Sequence, residues 1–300
     1  MVEEPHLESE LDAARPWLSH EGLEAVAALD KLRSLDIVHH GMEPGGLPDS
    51  WAGLQHLEVL SLKLEGRAAA LPGAPWAYPG SFPSLLSLSF RGWAFHGTLP
   101  AAWASPGAFP KLQSLIVASS NLAGSLPPEW AASGFPSLLR LVIEAGGLTG
   151  RFPGEWLSAT TAFPSLRSLS LDSCGLSGTL PDSWGREGHL AKLELLSLSQ
   201  NSLRGPLPAS WLCAGLPALG AFYIYDNMIT SLPSCCPRST SPLMILHVAD
   251  NHLRGTLPFT EQQCRNGTAL SLRSINLSGN GLTGTLPTNW PTTLPGLVDL

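Results

Sequence analysis

The stretch FPKLQSLIVASSNLAGSLPPEW, residues 109–130, contains the unit from which most of the chain is built. Its apolar positions fit the template LxxLxLxxNxLxGxLPxxW, with Ser120 in the place of the asparagine. The next two windows, which begin at Leu138 and Leu166, match the template without a gap. Self-similarity at this period indicates coils stacked in a solenoid rather than a chain folded around one globular core.

Matches to the start of the template recur along the chain, with steps from 24 residues (Leu219 to Leu243) to 29 residues (Leu243 to Leu272). Each LxxLxL segment is predicted to form a short strand of a concave parallel sheet, with leucines inward and the intervening side chains in the groove. The predicted strand starts are Leu32, Leu57, Leu85, Leu112, Leu138, Leu166, Leu193, Leu219, Leu243, Leu272 and Leu297. Ten strands spaced by about 4.8 Å would make a sheet roughly 45–50 Å long.

The asparagine position of the template is occupied by Asn201, Asn227, Asn251 and Asn280 in the later coils. A buried amide needs hydrogen-bond partners, so we expect these side chains to bond the turn backbone and the neighbouring asparagine. A hydrophobic ladder is predicted on the convex side, three residues before each strand start, at Leu54, Phe82, Phe109, Phe135, Phe163, Leu190, Leu216 and Leu294.

The template resembles the plant-type leucine-rich repeat, in which an LxGxLP segment follows the LxxLxL strand. The LPxxW ending is similar to that of green-algal leucine-rich repeat proteins. The resemblance covers the chain from about Leu32 to Leu300. It implies an α/β solenoid, a right-handed superhelix with a parallel concave β-sheet and convex turns, 3₁₀ or short helices. It names no ligand, because members of the family bind many unrelated molecules.

The chain is predicted to divide at about residue 28. Residues 1–28 are expected to form an acidic N-terminal tail and a helix that caps the first coil, beginning after Ser19. Residues 29–300 are expected to form about ten coils and half of an eleventh, which stops at Leu300. We therefore expect a truncated chain, and the missing part could include a membrane anchor or a kinase. The first residues contain no recognisable secretory signal.

Composition narrows the possible functions. The net charge is −7 and charged residues make up only 14% of the chain, which argues against a nucleic-acid surface. No apolar run approaches the roughly 18 residues that span a bilayer. No phosphate-binding, metalloprotease, hydrolase or kinase motif is present. The sequence therefore predicts no enzyme activity, no cofactor and no metal, and places the function on a surface.

Tryptophan follows the LP corner in most coils, at Trp51, Trp76, Trp103, Trp130, Trp156, Trp184, Trp211 and Trp290. A ladder of indoles could stack sugars. Because these residues keep the structural period, we favour the alternative that each fills its coil and donates its N–H to a neighbouring carbonyl.

Four of the five cysteines lie after LP corners in three successive coils: Cys213, Cys235, Cys236 and Cys264. Neighbouring coils are about 4.8 Å apart, so their cysteines are within reach of a disulfide, whereas cysteines two coils apart are too distant. We expect Cys213 to pair with one member of the doublet and Cys264 with the other. Free buried thiols and a zinc site are the alternatives. Disulfides would imply an oxidising compartment. Cys174 occupies a core position and is expected to be a free thiol.

Two glycosylation motifs occur, at Asn266 in a polar loop and at Asn276 in a strand. Because such motifs often arise by chance, they favour secretion only slightly.

The groove positions are mostly small, and serine recurs at Ser61, Ser87, Ser89, Ser114, Ser168, Ser170, Ser197 and Ser274. One departure is a charged strip, with Lys63 and Arg91 followed two coils later by Glu144 and Asp172. A second is a ligand-binding cluster predicted in the eighth and ninth coils, with aromatic and polar groups typical of binding hot spots. Its members are Tyr223, Tyr225, Asp226, His247 and Asp250. An ordinary solvated face is the alternative for both.

These features together favour non-catalytic recognition of a protein, peptide or glycan through the concave face, as part of an extracellular or cell-surface protein. The alternatives are an intracellular repeat scaffold, regulatory or associated with the cytoskeleton or cilium, and a structural coat protein. The predicted partners exclude nucleic acid.

Overall fold

The structure is a computed structural model that describes residues 18–43, 46–66, 69–131, 135–157, 163–185, 190–237, 240–260, 262–264 and 270–300. In these ranges the strands are β1 (Ser34–His39), β2 (Val59–Leu64), β3 (Ala69–Ala70), β4 (Ser87–Arg91), β5 (Phe95–Thr98), β6 (Ser114–Gly124), β7 (Arg140–Leu148), β8 (Ser168–Ser170), β9 (Ser177–Thr179), β10 (Leu195–Ser197), β11 (Ser202–Pro206), β12 (Ala221–Tyr223), β13 (Met228–Ser231), β14 (Ile245–His247), β15 (Arg254–Gly255), β16 (Ser274–Asn276) and β17 (Gly281–Leu282).

Short helices alternate with the strands. The α-helices in the described ranges are α1 (His20–Ala25) and α2 (Trp290–Thr293). The 3₁₀ helices are Val26–Ala28, Asp49–Gly53, Ala74–Trp76, Ala101–Ala104, Pro128–Ala131, Gly154–Leu157 and Asp182–Gly185, and Ser210–Gly215 forms a π-helical turn. From Asp49–Gly53 onward, the 3₁₀ helices and the π-helical turn each contain one of the ladder tryptophans.

The concave sheet contains one strand from each coil, in the order β1-β2-β4-β6-β7-β8-β10-β12-β14-β16, all parallel. Equivalent template positions face one another, so that Leu169 of β8 pairs with Leu141 of β7 and Leu196 of β10. Asp299 adds a single bridge to Ser274 beyond β16. This parallel sheet with short convex helices confirms the predicted α/β solenoid.

The core is a column of side chains between the sheet and the convex helices. The inward leucines of the strands are almost fully buried, and the ladder tryptophans lie behind them. Trp103, Trp130 and Trp156 stack face to face, with ring centroids 6.2 and 5.9 Å apart. The fold therefore uses this part of the ladder as packing between coils, and these indoles are closed to a sugar ligand.

Most ladder indoles bond the corner of a preceding coil. The Trp130 Nε1–H donates to the carbonyl of Pro100 at 3.0 Å, and the same bond to a corner proline is made by Trp76, Trp103, Trp156, Trp211 and Trp290. Trp51 donates instead to the carbonyl of Leu23 in α1. Trp184 Nε1 has no partner within the described residues. Its ring contacts Phe152 edge-on at 4.9 Å, where the preceding corner carries phenylalanine instead of leucine. The corner proline carbonyl is thus a fixed acceptor for the indole of the next coil.

The asparagines bond backbone groups of two successive coils. Asn227 donates to the carbonyls of Leu198 and Tyr225 at 3.0 and 3.2 Å and accepts the N–H of Leu203 at 3.0 Å. Asn201, Asn251 and Asn280 repeat this arrangement. We expected contacts between neighbouring asparagine side chains as well. These amides bond backbone groups instead, because the N–H and C=O groups of the preceding coil's turn lie within hydrogen-bond distance of each amide.

The N-terminal helix is shorter than the sequence pattern predicted. Gly22 N–H donates to the Ser19 side chain at 3.2 Å, which starts α1, and the chain tightens into a 3₁₀ turn after Ala25. Trp51 Nε1 donates to the carbonyl of Leu23 at 2.8 Å. This bond ties the helix to the first coil, although a capping role for residues 1–28 stays a prediction because residues 1–17 lie outside the described ranges.

Candidate functional site

A groove with a volume of about 480 Å³ lies on the concave face across strands β7, β8, β10, β12 and β14. Side chains of alternate residues point to the same face of a strand, which brings template-equivalent residues of neighbouring coils side by side. The lining residues are Arg140, Val142, Glu144, Ser168, Ser170, Asp172, Leu195, Ser197, Tyr223, Tyr225 and His247. We call this the central groove.

One wall of the central groove is aromatic. Tyr223 and His247 are paired across β12 and β14, and their rings meet edge to face with centroids 5.3 Å apart. His247 Nε2 lies 2.8 Å from the Ser274 hydroxyl, which fixes the imidazole. Tyr225 stands two residues beyond the end of β12 and is 37% exposed. The structure therefore brings three members of the predicted aromatic cluster together in one groove.

The opposite part of the central groove is acidic. The Asp172 carboxylate accepts hydrogen bonds from the hydroxyls of Ser170 (2.9 Å) and Ser197 (2.7 Å) and from the backbone N–H of Ser199 (2.7 Å). Glu144 lies at the equivalent position of the neighbouring coil, and its carboxylate forms no hydrogen bond or ion pair in the part of the chain that the structure describes. One carboxylate is thus held in place and the other is available.

The other two members of the predicted charged strip lie elsewhere. Lys63 and Arg91 are paired across β2 and β4, outside the central groove. Lys63 bonds Glu65 at 2.9 Å, and this hydrogen bond, assisted by the positive charge, lowers the pKa of Glu65. The strip is therefore divided, with its basic half near the N-terminal end of the sheet and its acidic half inside the groove.

Asp226 and Asp250 are not among the residues that line the central groove. Both have left-handed backbones, with φ of 55° and 51°, and both side chains are exposed. Aspartate tolerates this conformation better than most residues, and each donates its N–H to the next coil, to Ala249 and Ser278. Both residues therefore belong to the turn after the strand. The sequence period could not show whether they lie in this turn or in the groove.

Several residues of this face were not predicted from sequence. Arg140 and Leu195 line the central groove, yet they occupy a strand position where half of the coils carry serine. Trp93 is 70% exposed beside Arg91, because it occupies the asparagine position and an indole cannot make the bonds of the buried amide. A large residue where the template has serine or asparagine was the available signal in each case.

The convex cysteines are joined in two bonds, Cys213 to Cys235 and Cys236 to Cys264, with Cα–Cα separations of 6.1 and 5.0 Å. Each bond links neighbouring coils, and the Cys235–Cys236 doublet supplies one sulfur to each. Cys174 is free and buried, and its burial raises the pKa of the thiol to about 12. In the described ranges, no three His, Cys, Asp or Glu side chains are grouped as ligands for a metal ion.

Thiol titration tests this cysteine arrangement. Protein produced in an oxidising compartment is expected to show no reactive thiol when folded and one, Cys174, in denaturant, because the buried neutral thiol is a poor nucleophile. The measurement is reaction with a chromogenic disulfide reagent before and after unfolding. Five reactive thiols in such material would contradict the two bonds.

The two glycosylation motifs differ in what the structure describes. Asn266 lies outside the described residues. Asn276 is the last residue of β16 and is paired with His247, and its side-chain oxygen accepts from the N–H and hydroxyl of Ser278 at 3.1 and 2.7 Å. A glycan on Asn276 would stand beside the aromatic wall. Glycosylation of Asn276 stays a prediction. Among the described residues, no helix combines the length and the apolar character needed to cross a membrane.

Comparison with known proteins supports the fold. The family model described as Leucine Rich Repeat matches residues 165–186 and 271–292. No curated protein sequence matches the chain.

Solved structures of plant proteins share the architecture. The ectodomain of the Arabidopsis thaliana receptor kinase GASSHO1/SCHENGEN3, solved with CASPARIAN STRIP INTEGRITY FACTOR 2, superimposes with a TM-score of 0.65 at 22% identity, over 92% of this chain and 33% of the receptor. The plant peptide hormone receptor RGFR1, solved with RGF2, gives 0.62 at 23% identity, over 90% and 43%. A plant ice-binding protein gives 0.55 at 19% identity, over 92% and 74%.

The chain thus spans less than half the length of those two receptors, and such low identity shows the fold alone. The ice-binding protein shows that one fold carries different functions. The repeat template, the stacked parallel sheet and these matches give the chain the leucine-rich repeat fold, which the plant receptors above share.

Proposed function

We propose that the chain is a non-catalytic recognition module that binds a peptide, or an extended segment of a protein, in the central groove. The observation that carries the proposal is the composition of this groove. It combines two tyrosines and a fixed histidine with two carboxylates, whereas serine is the most frequent residue at the other groove-facing positions of the sheet. Aromatic side chains give rigid contact area at low entropic cost, whereas small hydroxyl side chains bury little area.

The shape of the central groove favours an extended ligand. The groove crosses five neighbouring strands of the concave sheet. Five strands span roughly 20 Å at the usual spacing of about 4.8 Å, which is the length of about six residues of extended chain. One of the two plant receptors superimposed above, RGFR1, is a peptide hormone receptor, which agrees with this proposal without identifying the ligand of this chain.

We propose an extracellular or cell-surface location for this module. Two disulfides in three neighbouring coils agree with an oxidising compartment. A coat protein would rely on the repeat alone, whereas the binding residues here are concentrated in five coils. This concentration also favours recognition over a uniform scaffold.

Alanine substitution of each groove tyrosine tests the proposal. Binding partners are first selected on the immobilised protein from a phage-displayed library of random 12-residue peptides, and a selected peptide is synthesised with a fluorescent label. Tyr223→Ala and Tyr225→Ala are each expected to weaken binding by about 1–3 kcal/mol, roughly 5- to 150-fold. Fluorescence anisotropy measures the affinity, and circular dichroism shows whether the fold is retained.

The matched control is Tyr78→Ala, because Tyr78 is also an exposed tyrosine but lies outside the central groove. It is expected to leave the affinity unchanged. Peptides that tolerate both groove substitutions but lose affinity on changes to the convex face would contradict the proposal.

A further inference from the structure

We infer that the central groove selects a ligand with a basic side chain, lysine or arginine, which binds between Glu144 and Asp172. This inference rests on the proposed function and adds the chemical class of the ligand. Three observations carry it: a free carboxylate, a fixed carboxylate on the neighbouring strand, and a cation at the other end of the groove.

The free carboxylate is Glu144. Its side chain is half-buried, lines the groove and has no hydrogen-bond or ion-pair partner among the described residues. A half-buried carboxylate loses part of its hydration, and a cation supplied by a ligand would restore the favourable electrostatic energy. An acidic ligand group at this place would meet charge repulsion.

The fixed carboxylate is Asp172. Positions equivalent to Glu144 and Asp172 lie one strand apart, about 4.8 Å, because Val142 and Ser170, two residues before them, are paired in register. Three donors already hold Asp172 in place. The Ser197 hydroxyl lies within hydrogen-bond distance of both carboxylate oxygens, so these donors use most of the acceptor capacity, and Asp172 attracts a ligand cation chiefly by its charge. The network therefore orients Asp172 before the ligand arrives.

The serines that hold Asp172 also leave room above it. Ser170 and Ser197 are small and lie close to the sheet, so the floor of the groove next to the carboxylates is low. A long side chain with a charged end, such as lysine or arginine, can cross this floor with its methylene groups against Val142 and reach the carboxylates.

The aromatic wall lies beside this position, on the neighbouring strands. Tyr223 is two strands from Ser170, about 10 Å, and Tyr225 and Asp172 follow these residues by two positions. A tyrosine ring attracts a cation only within about 6 Å, so the tyrosines contact the ligand residues next to the basic one. The carboxylates therefore recognise the basic group, and the aromatic rings bind the rest of the ligand.

Arg140 gives the central groove a direction. It lies four residues before Glu144 on β7, about 13 Å along an extended strand, and it makes no ion pair in the described ranges. Its charge repels a basic ligand group from that end of the groove. The basic side chain is therefore placed at the end of the strands where Glu144 and Asp172 lie on neighbouring strands.

Selection and charge substitution together test the inference. The random 12-residue peptide library is panned on the full chain and on the Glu144→Lys variant. We expect peptides enriched in lysine and arginine on the full chain, and loss of that enrichment, with acidic residues in its place, on the variant. For a labelled basic peptide, Glu144→Gln is expected to weaken binding at least tenfold and to reduce its dependence on salt, because one screened charge pair is lost.

The matched control is Glu129→Gln, which removes the same charge from an exposed residue of the convex 3₁₀ helix Pro128–Ala131. It is expected to leave the affinity unchanged. Selected peptides that are not enriched in basic residues, or that bind Glu144→Gln as tightly as the unchanged chain, would overturn the inference. If such peptides still lose affinity with Tyr223→Ala, the proposed function stands without the inference. If no selected peptide depends on either tyrosine, both fail.

Discussion

Replacing Trp130 with alanine is expected to lower the free energy of unfolding by about 3–5 kcal/mol. Trp130 is fully buried and stacks between Trp103 and Trp156, with ring planes inclined by only 13° and 10°. The neighbouring coils are also held apart by the parallel sheet, so they cannot close over the missing indole. The substitution removes stacking on both sides and leaves a cavity that persists.

The same substitution removes a hydrogen bond. Without the indole N–H, the carbonyl of Pro100 loses its donor, and an unsatisfied buried group costs about 1–3 kcal/mol. Urea denaturation followed by circular dichroism measures the loss, since the change in tryptophan count complicates fluorescence. Hydrogen exchange is expected to rise first in the coils on either side of residue 130, because each coil of a solenoid contacts only its neighbours.

Trp130→Phe is the matched control. It retains an aromatic ring but removes the donor to Pro100, so a loss of about 1–2 kcal/mol is expected. A loss below 1 kcal/mol for Trp130→Ala would show that the tryptophan column is not a main source of stability.

Replacing Leu169 with alanine is expected to cost about 2–5 kcal/mol of unfolding free energy. Leu169 is buried and faces the leucines of the coils before and after it, Leu141 and Leu196. Its neighbour Ser168 points to the opposite face of the same strand and makes no hydrogen bond from its side chain among the described residues. Ser168→Ala is therefore expected to change stability by less than about 0.5 kcal/mol.

Comparing the stability of the Leu169→Ala and Ser168→Ala variants tests which residues of β8 face the core. Chemical denaturation of both proteins under the same conditions gives the two free energies. Equal losses would show that the strand is displaced by one residue, because such a slip exchanges the buried and groove faces. Ser170 is a poorer control than Ser168, because its hydroxyl holds the Asp172 carboxylate and its loss would disturb the groove.

The candidate site was only partly predictable from sequence. The repeat period placed Tyr223, Tyr225 and His247 on one face, because template-equivalent residues of neighbouring coils must lie side by side. It grouped Asp226 and Asp250 with them, since a repeat template does not show where a strand ends and a left-handed turn begins. It separated Glu144 and Asp172 from the tyrosines, although the groove contains all four. Coil spacing decides which residues neighbour one another, whereas the local backbone decides which of them share a groove.

The sequence by itself determined the solenoid, the strand register and the restriction of disulfides to cysteines of neighbouring coils. These follow from a period that repeats along the chain, since each coil buries its leucines only by stacking on the next. Only the tertiary structure showed the backbone conformation of the residues in the convex hydrophobic ladder. Phe82, Phe109, Phe135, Phe163 and Leu190 all have positive φ, between 46° and 59°. This conformation is unfavourable for a residue with a large side chain, and nothing in the local sequence predicts it. Stacking of Phe82 on Phe109, and of Phe135 on Phe163, stabilises it, because rings from successive coils meet only after the coils have stacked.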